Sequence, residues 1–340
     1  MEPITQALAA AALSRTGLKK IATRATLLLV VAALAPDLDL LSSLGGADAY
    51  LRFHRTLLHS LPGAILLAAA LAALACLIDR RFKSSSASEP LRFSRAFILC
   101  GIAIAFHLLL DVCDSSGAQL LWPFHPAWYS WNLTASLDPW ILGIFIVGLL
   151  LPELFNLVSE EIGERKKNRP GRRRWAIAAL LFVMLYFLAR NTLHARATDL
   201  LLSRSYNGST PVRAGAFPSA VSPFEWRGIV ATDTALVEVD VPLGPAGAFD
   251  PDRGLVHYKP DSSPALDAAQ KTLVARRFLA YAKFPLASLE PREDGFHFEL
   301  RDLRFPAGSA SNDNIVAVID LDSQLRVLRE RFRFARERNR

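Results

Sequence analysis

Five long apolar segments occupy the first 195 residues, and they constrain the fold more than any other feature of the chain. Each holds roughly 15–20 residues, which as an α-helix is about the length needed to cross the hydrocarbon core of a bilayer. After Thr198 the apolar residues are spread through mixed sequence with many prolines and glycines. The sequence therefore predicts five transmembrane helices, at about 22–35, 61–78, 96–113, 138–157 and 175–191.

The residues before the first apolar segment form a shorter helical pattern. The stretch PITQALAAAALSRTG at 3–17 is rich in alanine, with Pro3 at a favourable first position and Gly17 as a stop signal. It is too short to span a bilayer by itself. We interpret it as a re-entrant or interfacial helix.

The remainder of the chain predicts a different kind of domain. A helical pattern covers 264–283, and β-branched, alternating sequence indicates strands at 228–242, 254–260, 296–305, 314–322 and 324–334. The predicted fold is an α-helical integral membrane domain, with about five transmembrane helices and a short N-terminal helix, followed by a smaller α+β soluble domain. The two domains are placed at 1–194 and 195–340.

Lysine and arginine are distributed unevenly over the loops between the apolar segments. The segments 1–24, 79–95 and 157–174 together carry sixteen, whereas 36–60 carries two and 114–137 carries none. Basic loops remain on the cytoplasmic side of a membrane. The asymmetry therefore predicts a multi-pass protein of a bacterial inner membrane with a cytoplasmic N-terminus, outer loops and an extracytoplasmic C-terminal domain.

The net charge of +7 and the pI near 9.5 are common in nucleic-acid-binding proteins. Here, however, the basic residues sit mainly in short loops beside apolar segments, which is typical of membrane orientation. We therefore expect no nucleic-acid partner, and the lipid bilayer is the partner that the sequence predicts.

Four residues of metal-binding type stand between the first two apolar segments: Asp37, Asp39, His54 and His59. Asp37 and Asp39 are two residues apart, so in an extended segment their carboxylates point the same way. Such side chains are unfavourable in apolar surroundings without a partner, and a divalent metal pairs with all of them. The alternative is a polar interfacial loop in which the histidine rings bond to the backbone.

The third apolar segment adds His107 and Asp111, spaced i and i+4 on one helix face. An ionisable residue at membrane depth costs roughly 2.5–3.5 kcal/mol and usually marks function. Both residues fall near the predicted outer end of their helix, so three segments bring carboxylates and imidazoles to one membrane face. Without thiolates, this donor set favours Zn²⁺, with Mn²⁺ or Fe²⁺ as alternatives. Six candidate ligands could hold two or more ions.

The outer loop 114–137 contains the aromatic stretch WPFHPAWYSWN. Its tryptophans are typical of an aromatic belt at the lipid interface, and in that position they would also rim a site that opens toward headgroups. Within the loop, Trp122, His125 and Asn132 are candidates for contact with a substrate.

Four motifs in order carry a resemblance to a known family: PITQALAAAAL, PDLD, HRTLLHS, and HLLLD followed by SSGAQLLWPF. In this order they resemble the LexA-regulated, membrane-bound metal-dependent hydrolases, which are bacterial inner-membrane proteins. The resemblance covers about 1–150. Later phrases such as AKFPLAS and LRDLRF resemble the outer domain that some members carry.

That family is distantly similar to zinc-dependent phospholipase C and P1-type nuclease. The resemblance therefore implies a hydrolase whose metal ligands are the six aspartates and histidines named above, with Asp37, His59 and Asp111 as the catalytic residues. Two features depart from the family pattern. Gln6 stands where members usually have a histidine, which puts one metal ion or the activity in question. The glycine often found after the Arg of the HR motif is absent, with Thr56 and Leu57 in its place.

These observations predict a membrane-bound metal-dependent hydrolase that acts on an ester or phosphoester, of a lipid or lipid-linked substrate, at the outer face of the membrane. The alternative, which Gln6 favours, is a non-catalytic membrane-anchored binding or structural protein with a degenerate or structural metal site. A transporter is a third hypothesis, but a transport site should lie near the middle of the bilayer.

Overall fold

The computed structural model describes residues 1–22, 24–81, 90–161, 171–245, 247–306 and 311–336. Part of the basic loops counted above therefore lies outside the described residues. The chain divides into two compact units. The first comprises Met1–Asp39 and Arg55–Thr192, and the second comprises Leu40–His54 and Leu193–Arg340. Relative to the predicted domains, the segment Leu40–His54 belongs with the C-terminal part of the chain.

Seven α-helices lie within the described part of the first 202 residues: α1 (Pro3–Arg15), α2 (Ala25–Leu34), α3 (Gly46–Phe53), α4 (Leu61–Arg81), α5 (Phe93–Cys113), α6 (Pro139–Glu161) and α7 (Arg172–Leu202). Helices α4 to α7 and the segment Ala25–Phe53 are long and apolar enough to cross a membrane. The prediction of about five spans and a short N-terminal helix is confirmed.

The first of these five segments is not one continuous α-helix. Helix α2 has 10 residues and is therefore about 15 Å long. It ends just before Pro36, which lacks the N–H group that a continuing helix would use. A 3-10 helical segment, Pro36–Gly45, follows and leads into α3. The break brings the Asp37 and Asp39 side chains to the end of the bundle.

Small side chains pack the helices of the first unit closely together. Ala10 of α1, Ala32 of α2 and Ala103 of α5 belong to one buried cluster. On its other side, α1 packs through Ala9 and Ala12 against α6 and α7. Residues this small allow helix backbones to approach closely. Helix α1 therefore packs between other helices of the unit, although it is too short to span a bilayer.

The start of α1 lies at the same end of the bundle as the loop 114–137. The Met1 amino group pairs with Asp111, and the Glu2 N–H donates to the carbonyl oxygen of Ser136 at 3.0 Å. These contacts contradict the prediction that the N-terminus and this loop are on opposite sides of the membrane. The physical reason is that α1 runs away from this end of the bundle and the chain returns through α2, a reversal that the charge count did not include.

The basic residues that follow α1 lie at the other end of the bundle from Met1. Arg15, at the far end of α1, forms an ion pair with Glu153 of α6 at 3.1 Å. Lys19, Lys20 and Arg24 come after Arg15 in the chain. The asymmetry of charge between the two ends of the bundle is therefore retained, and only the position of the first residues changes.

The second unit contains two four-stranded antiparallel sheets, each with its strands in sequential order. The first sheet is formed by β1 (Arg213–Pro218), β2 (Glu225–Ala231), β3 (Ala235–Pro242) and β4 (Leu255–Tyr258). After α8 (Pro264–Gln270) and α9 (Leu273–Tyr281), the second sheet is formed by β5 (Pro285–Arg292), β6 (Gly295–Asp302), β7 (Ile315–Asp322) and β8 (Val327–Phe334). The predicted α+β class of this domain is confirmed.

Side-chain caps explain where the predicted elements of this domain differ from the observed ones. The strand predicted over 228–242 is a hairpin, because the Thr232 side chain accepts the Ala235 N–H and closes a turn between β2 and β3. The helix predicted over 264–283 is two helices, because Thr272 caps the start of α9. Strands β1 and β5 were not predicted, since proline, glycine and alanine weaken their β pattern.

A glycine sets the separation of α6 and α7. A Cβ atom at Gly148 would lie 2.5 Å from the Cβ of Ala179, whereas one at Gly143, also in α6, would meet no described atom within 4 Å. We expect Gly148→Ala to lower the free energy of unfolding by about 1–3 kcal/mol through overpacking. Gly143→Ala, the matched control, should be neutral or stabilising. Thermal unfolding in detergent measures both, and equal stability of the two variants would contradict this packing.

Candidate metal centre

Four side chains of the first unit meet at the end of the bundle that carries the loop 114–137: Asp37, His59, His107 and Asp111. One ligand atom from each lies within 4.8 Å of all the others. His59, His107 and Asp111 are fully buried, whereas the Asp37 side chain is 16% exposed. The structure thus brings together four of the six predicted ligands, from three separate segments of the chain.

Three of the four ligand atoms are close to one another. The Nε2 atoms of His59 and His107 are 3.2 Å apart, and Asp111 Oδ2 lies 3.0 Å from the first and 3.1 Å from the second. Asp37 Oδ1 is farther away, at 3.8 Å and 3.7 Å from the same two nitrogens. The group is therefore a compact triangle with Asp37 on its more exposed side.

Helix α5 supplies His107 and Asp111 from adjacent turns of one face. The Nδ1 atom of His107 lies 2.6 Å from the carbonyl oxygen of Ala33, in the last turn of α2. Carbonyls in that turn have no partner within their own helix. The broken end of α2 therefore fixes the orientation of the His107 ring.

His59 is held by a short loop in front of α4. Its Nδ1 atom is 2.9 Å from Asp39 Oδ2, and the same carboxylate oxygen accepts the backbone N–H of Arg55 at 2.9 Å. The next residue, Ser60, accepts the N–H of Gly63 and caps the start of α4. A Cβ at Gly63 would lie 1.8 Å from the Leu57 carbonyl oxygen, so this tight entry into α4 requires glycine.

The hydrogen bonds of the two rings determine which nitrogen carries a proton. A carbonyl oxygen faces His107 Nδ1 and a carboxylate oxygen faces His59 Nδ1, and both atoms only accept, so each Nδ1 must donate. In the neutral rings, both Nε2 lone pairs then point toward each other and toward the Asp111 carboxylate. Three electron-rich atoms so close together, away from water, require a cation between them.

The spacing of these atoms suits a tetrahedral metal ion. Zinc bonds of about 2.0–2.1 Å place neighbouring ligand atoms about 3.3 Å apart. The three shortest separations here are 3.0, 3.1 and 3.2 Å. In addition, Asp111 Oδ2 and Asp37 Oδ2 are buried without a hydrogen-bond partner among the described residues. The donor set therefore fits a divalent ion, and the second nitrogen of each ring is fixed as metal-binding histidines require.

Without a metal ion, a proton can take the place of the cation. Burial alone would lower the pKa of His59, but the neighbouring carboxylates Asp111 and Asp39 outweigh burial and raise this pKa to about 9. The electrostatics of the group thus favour positive charge strongly. A divalent ion that binds here must displace this proton.

Two charged residues beside the group were not identified from the sequence. The buried Arg55 guanidinium lies 3.4 Å from Asp114 and 4.0 Å from Asp111, and it donates to the carbonyl oxygen of Gly117. The fully buried Asp114 also lies 3.5 Å from the Met1 amino group. Arg55 directly follows His54, and Asp114 follows Asp111 by three residues. This short distance in sequence from predicted ligands was the signal by which both residues could have been identified.

The position of Gln6 is also beside the group. Its side-chain amide donates to Asp111 Oδ1 and to the carbonyl oxygen of His107, each at 3.4 Å. Its Oε1 atom is buried without a hydrogen-bond partner among the described residues. The departure from the family pattern therefore falls at the site itself, where the glutamine contacts one ligand and the backbone of another.

The remaining predicted residues lie outside the group of four. Asp39 orients His59 instead of joining the group. His54 is in the second unit, where its ring stacks on Tyr50 with centroids 4.4 Å apart. In the loop 114–137, Asn132 accepts a hydrogen bond from Ser130 and His125 is exposed. The predicted contacts of Trp122, His125 and Asn132 with a substrate stay predictions.

The different placements of two predicted histidine ligands provide a test. We expect His107→Ala to abolish stoichiometric zinc binding, because it removes one of the three closest donors. His54→Ala should still bind one equivalent at saturating zinc. Metal analysis of the purified proteins after dialysis measures the ratio. Loss of zinc in both variants, with the fold intact, would favour the larger ligand set predicted from the sequence.

Comparisons with known proteins match the membrane domain. The model of the family described as YdjM inner membrane protein matches residues 1–197, which is more than half of the chain. The uncharacterized protein YfhP of Bacillus subtilis (strain 168) is 25% identical over 107 residues, which cover 32% of this chain and 30% of YfhP. No solved structure matches. Because the family model matches more than half of the chain, the chain belongs to the YdjM inner membrane protein family, and the matched part includes every segment that forms the group of four.

Proposed function

We propose that this inner membrane protein is a metal-dependent hydrolase that cleaves an ester or phosphoester of a lipid or lipid-linked substrate. The observation that carries the proposal is the convergence of His59, His107 and Asp111 around one point, with Asp37 on the open side. Catalytic zinc sites commonly have three protein ligands and one position free for water or substrate. A structural site would instead be closed by four equivalent ligands.

His59, His107 and Asp111 would hold the ion. When bound there, a divalent ion lowers the pKa of water to about 7 and polarises a phosphoryl or carbonyl oxygen. The protein supplies the fixed geometry. Asp39 and the Ala33 carbonyl prevent the two rings from turning, and Arg55 compensates part of the negative charge of Asp111 and Asp114.

Asp37 is suited to accept a proton from the attacking water. Its Oδ1 atom faces the two histidines, and its Oδ2 atom makes no hydrogen bond among the described residues. Its carboxylate is the only one of the four ligand groups with exposed surface. A positioned carboxylate of this kind contributes typically 10²–10⁴-fold as a general base.

The surroundings of the site support a lipid substrate. In the loop 114–137, at the same end of the bundle, Leu121, Phe124 and Trp131 are exposed. Large apolar side chains at this level of a membrane protein lie in the lipid interface. A substrate that reaches Asp37 from this side would therefore come from the headgroup region, where ester and phosphoester bonds are found.

A structural metal site is the second candidate function, and one observation favours it. Three of the four ligands have no exposed surface, and the Gln6 amide lies against Asp111. In that case the ion would join α5, the 3-10 segment after α2 and the loop before α4 without any reaction. Metal binding is common to both candidates, so only the role of Asp37 separates them.

Substitution of Asp37 distinguishes catalysis from a structural role. We expect Asp37→Asn to reduce hydrolysis of lipid phosphoesters at least 100-fold, because the amide cannot accept a proton, while zinc is retained. A screen of phospholipids and lipid-linked phosphates with zinc-loaded protein in detergent measures the activity. Asp233→Asn, an exposed carboxylate of the second unit, is the matched control. A zinc-loaded wild-type protein that hydrolyses none of these compounds would support the structural candidate.

The orientation in the membrane is a separate proposal. We propose that the site and the loop 114–137 face the outer side, and the residues after Arg15 the cytoplasm. The three native cysteines are buried, so a maleimide should react only with a cysteine introduced at an exposed position. In intact spheroplasts we expect an impermeant maleimide to label Phe124→Cys but not Lys20→Cys. Labelling of Lys20→Cys alone would reverse the orientation.

A further inference from the structure

We propose that the C-terminal domain positions the metal-binding loop of the membrane domain by holding its middle segment through a buried hydrogen bond between Tyr50 and Asp313. We call this pair the Tyr50–Asp313 clasp. The course of the chain between the two units suggests this role. The segment Leu40–His54 follows Asp37 and Asp39 and precedes Arg55 and His59. It belongs to the second unit, although it is far in sequence from Leu193–Arg340, which forms the rest of that unit.

The chain passes from one unit to the other and back within about twenty residues. Asp37 and Asp39 belong to the first unit, Leu40–His54 belongs to the second, and Arg55 and His59 belong to the first again. Whatever holds Leu40–His54 therefore fixes both ends of the loop that carries the site. A free loop of this length would lose conformational entropy each time the site assembled.

Tyr50 holds the segment Leu40–His54 to the rest of the C-terminal domain. It lies on α3 with 4% of its surface exposed, and its hydroxyl donates to Asp313 Oδ1 at 2.6 Å. Its ring stacks on His54 and meets Phe334 of β8 edge-on, with centroids 5.7 Å apart. A buried tyrosine between an aromatic partner and a carboxylate acceptor is held by both its apolar and its polar part.

Asp313 is itself fixed by the C-terminal domain. Its backbone N–H donates to Ser311 Oγ at 3.1 Å, and its carbonyl oxygen accepts the hydroxyl of Tyr281, at the end of α9, at 3.0 Å. A second contact is exposed, where Arg277 of α9 pairs with Asp48 of α3 at 3.4 Å. The clasp therefore joins α3 to a part of the domain that is already ordered.

The clasp reaches the site through the backbone at Arg55. His54 donates its N–H to the Tyr50 carbonyl oxygen at 2.8 Å, and the next residue, Arg55, donates its N–H to Asp39 Oδ2. Arg55 has φ of +56°, which is uncommon for a residue other than glycine and requires neighbouring contacts to maintain it. Since Asp39 orients His59, release of Tyr50 would loosen a ligand that Tyr50 does not touch.

The clasp needs the C-terminal domain, which lies outside the part of the chain that the family model matches. The family model ends at residue 197, so Tyr50 lies within the matched part of the chain and Asp313 lies outside it. Tyr50 and Asp313 are accordingly positioning residues, and they do not belong to the group of four. The effect on metal binding rests on the proposed function, whereas the effect on the loop does not.

The test uses the full-length protein in detergent with two readouts. Tyr50→Phe removes the donor of the buried hydrogen bond, and Asp313→Ala removes its acceptor. Tyr206→Phe is the matched control, because Tyr206 is also buried in the second unit and donates to the Leu201 carbonyl oxygen at 2.9 Å. The first readout is hydrogen exchange of the Arg55 amide in the absence of metal. The second is zinc affinity by competition with a chelator.

We expect the Arg55 amide to exchange about tenfold faster in Tyr50→Phe and Asp313→Ala, and zinc affinity to fall about tenfold, as when an outer partner of a ligand is removed. The double variant should match either single variant, because both remove the same bond. Arg277→Gln, which breaks only the exposed contact, should change both readouts in the same direction by a smaller factor. Tyr206→Phe should leave both unchanged.

Two results would overturn the proposal. One is unchanged exchange at Arg55 in Tyr50→Phe while the amides of α3 lose protection, which would show that the segment moves without the loop. The other is an equal effect of Tyr206→Phe, which would show a general loss of stability. If the wild-type protein binds no zinc, the proposed function fails, and hydrogen exchange at Arg55 still decides the clasp.

Discussion

The approach of two imidazole Nε2 atoms to within 3.2 Å, beside the Asp111 carboxylate, is the interaction on which the rest of the structure depends. Their other nitrogens already donate to fixed acceptors, so the rings cannot relieve the crowding by changing tautomer. In water such an arrangement would be solvated, but at a buried end of a helical bundle only a cation can balance it. The group is consequently a site for a metal ion or, when no metal is bound, for a proton.

The architecture of the membrane domain provides this arrangement. Helix α2 is short and broken at Pro36, which releases a carbonyl for His107 and turns the following aspartates toward α5. The enclosed helix α1 reaches the same place from the other side and brings Gln6 against Asp111. Alanine-rich contacts allow this close approach of backbones. The site therefore results from helices too short to cross the membrane alone, packed against longer ones that cross it.

Much of the fold could be predicted from the sequence, because bilayer thickness imposes a length on every crossing helix. The segments that became α4 to α7 were found for this reason, and alternation found most strands of the C-terminal domain. Side-chain caps were harder to recognise, so Thr272 and Thr232 divided elements that the pattern had joined. The charge count placed the first residues opposite the loop 114–137, because it does not register that α1 runs away from this loop before the chain returns through α2.

The sequence by itself determined which residues could form the site, since aspartate and histidine within apolar surroundings are costly unless they share a cation. It did not determine which of the six would meet. Asp39 turned out to orient His59, and His54 to stack on Tyr50 in the other unit, because ring and carboxylate directions depend on contacts between segments distant in the chain. Only the tertiary structure could assign Leu40–His54 to the C-terminal unit. The bond from Tyr50 to Asp313 joins residues 263 positions apart, and no local pattern records it.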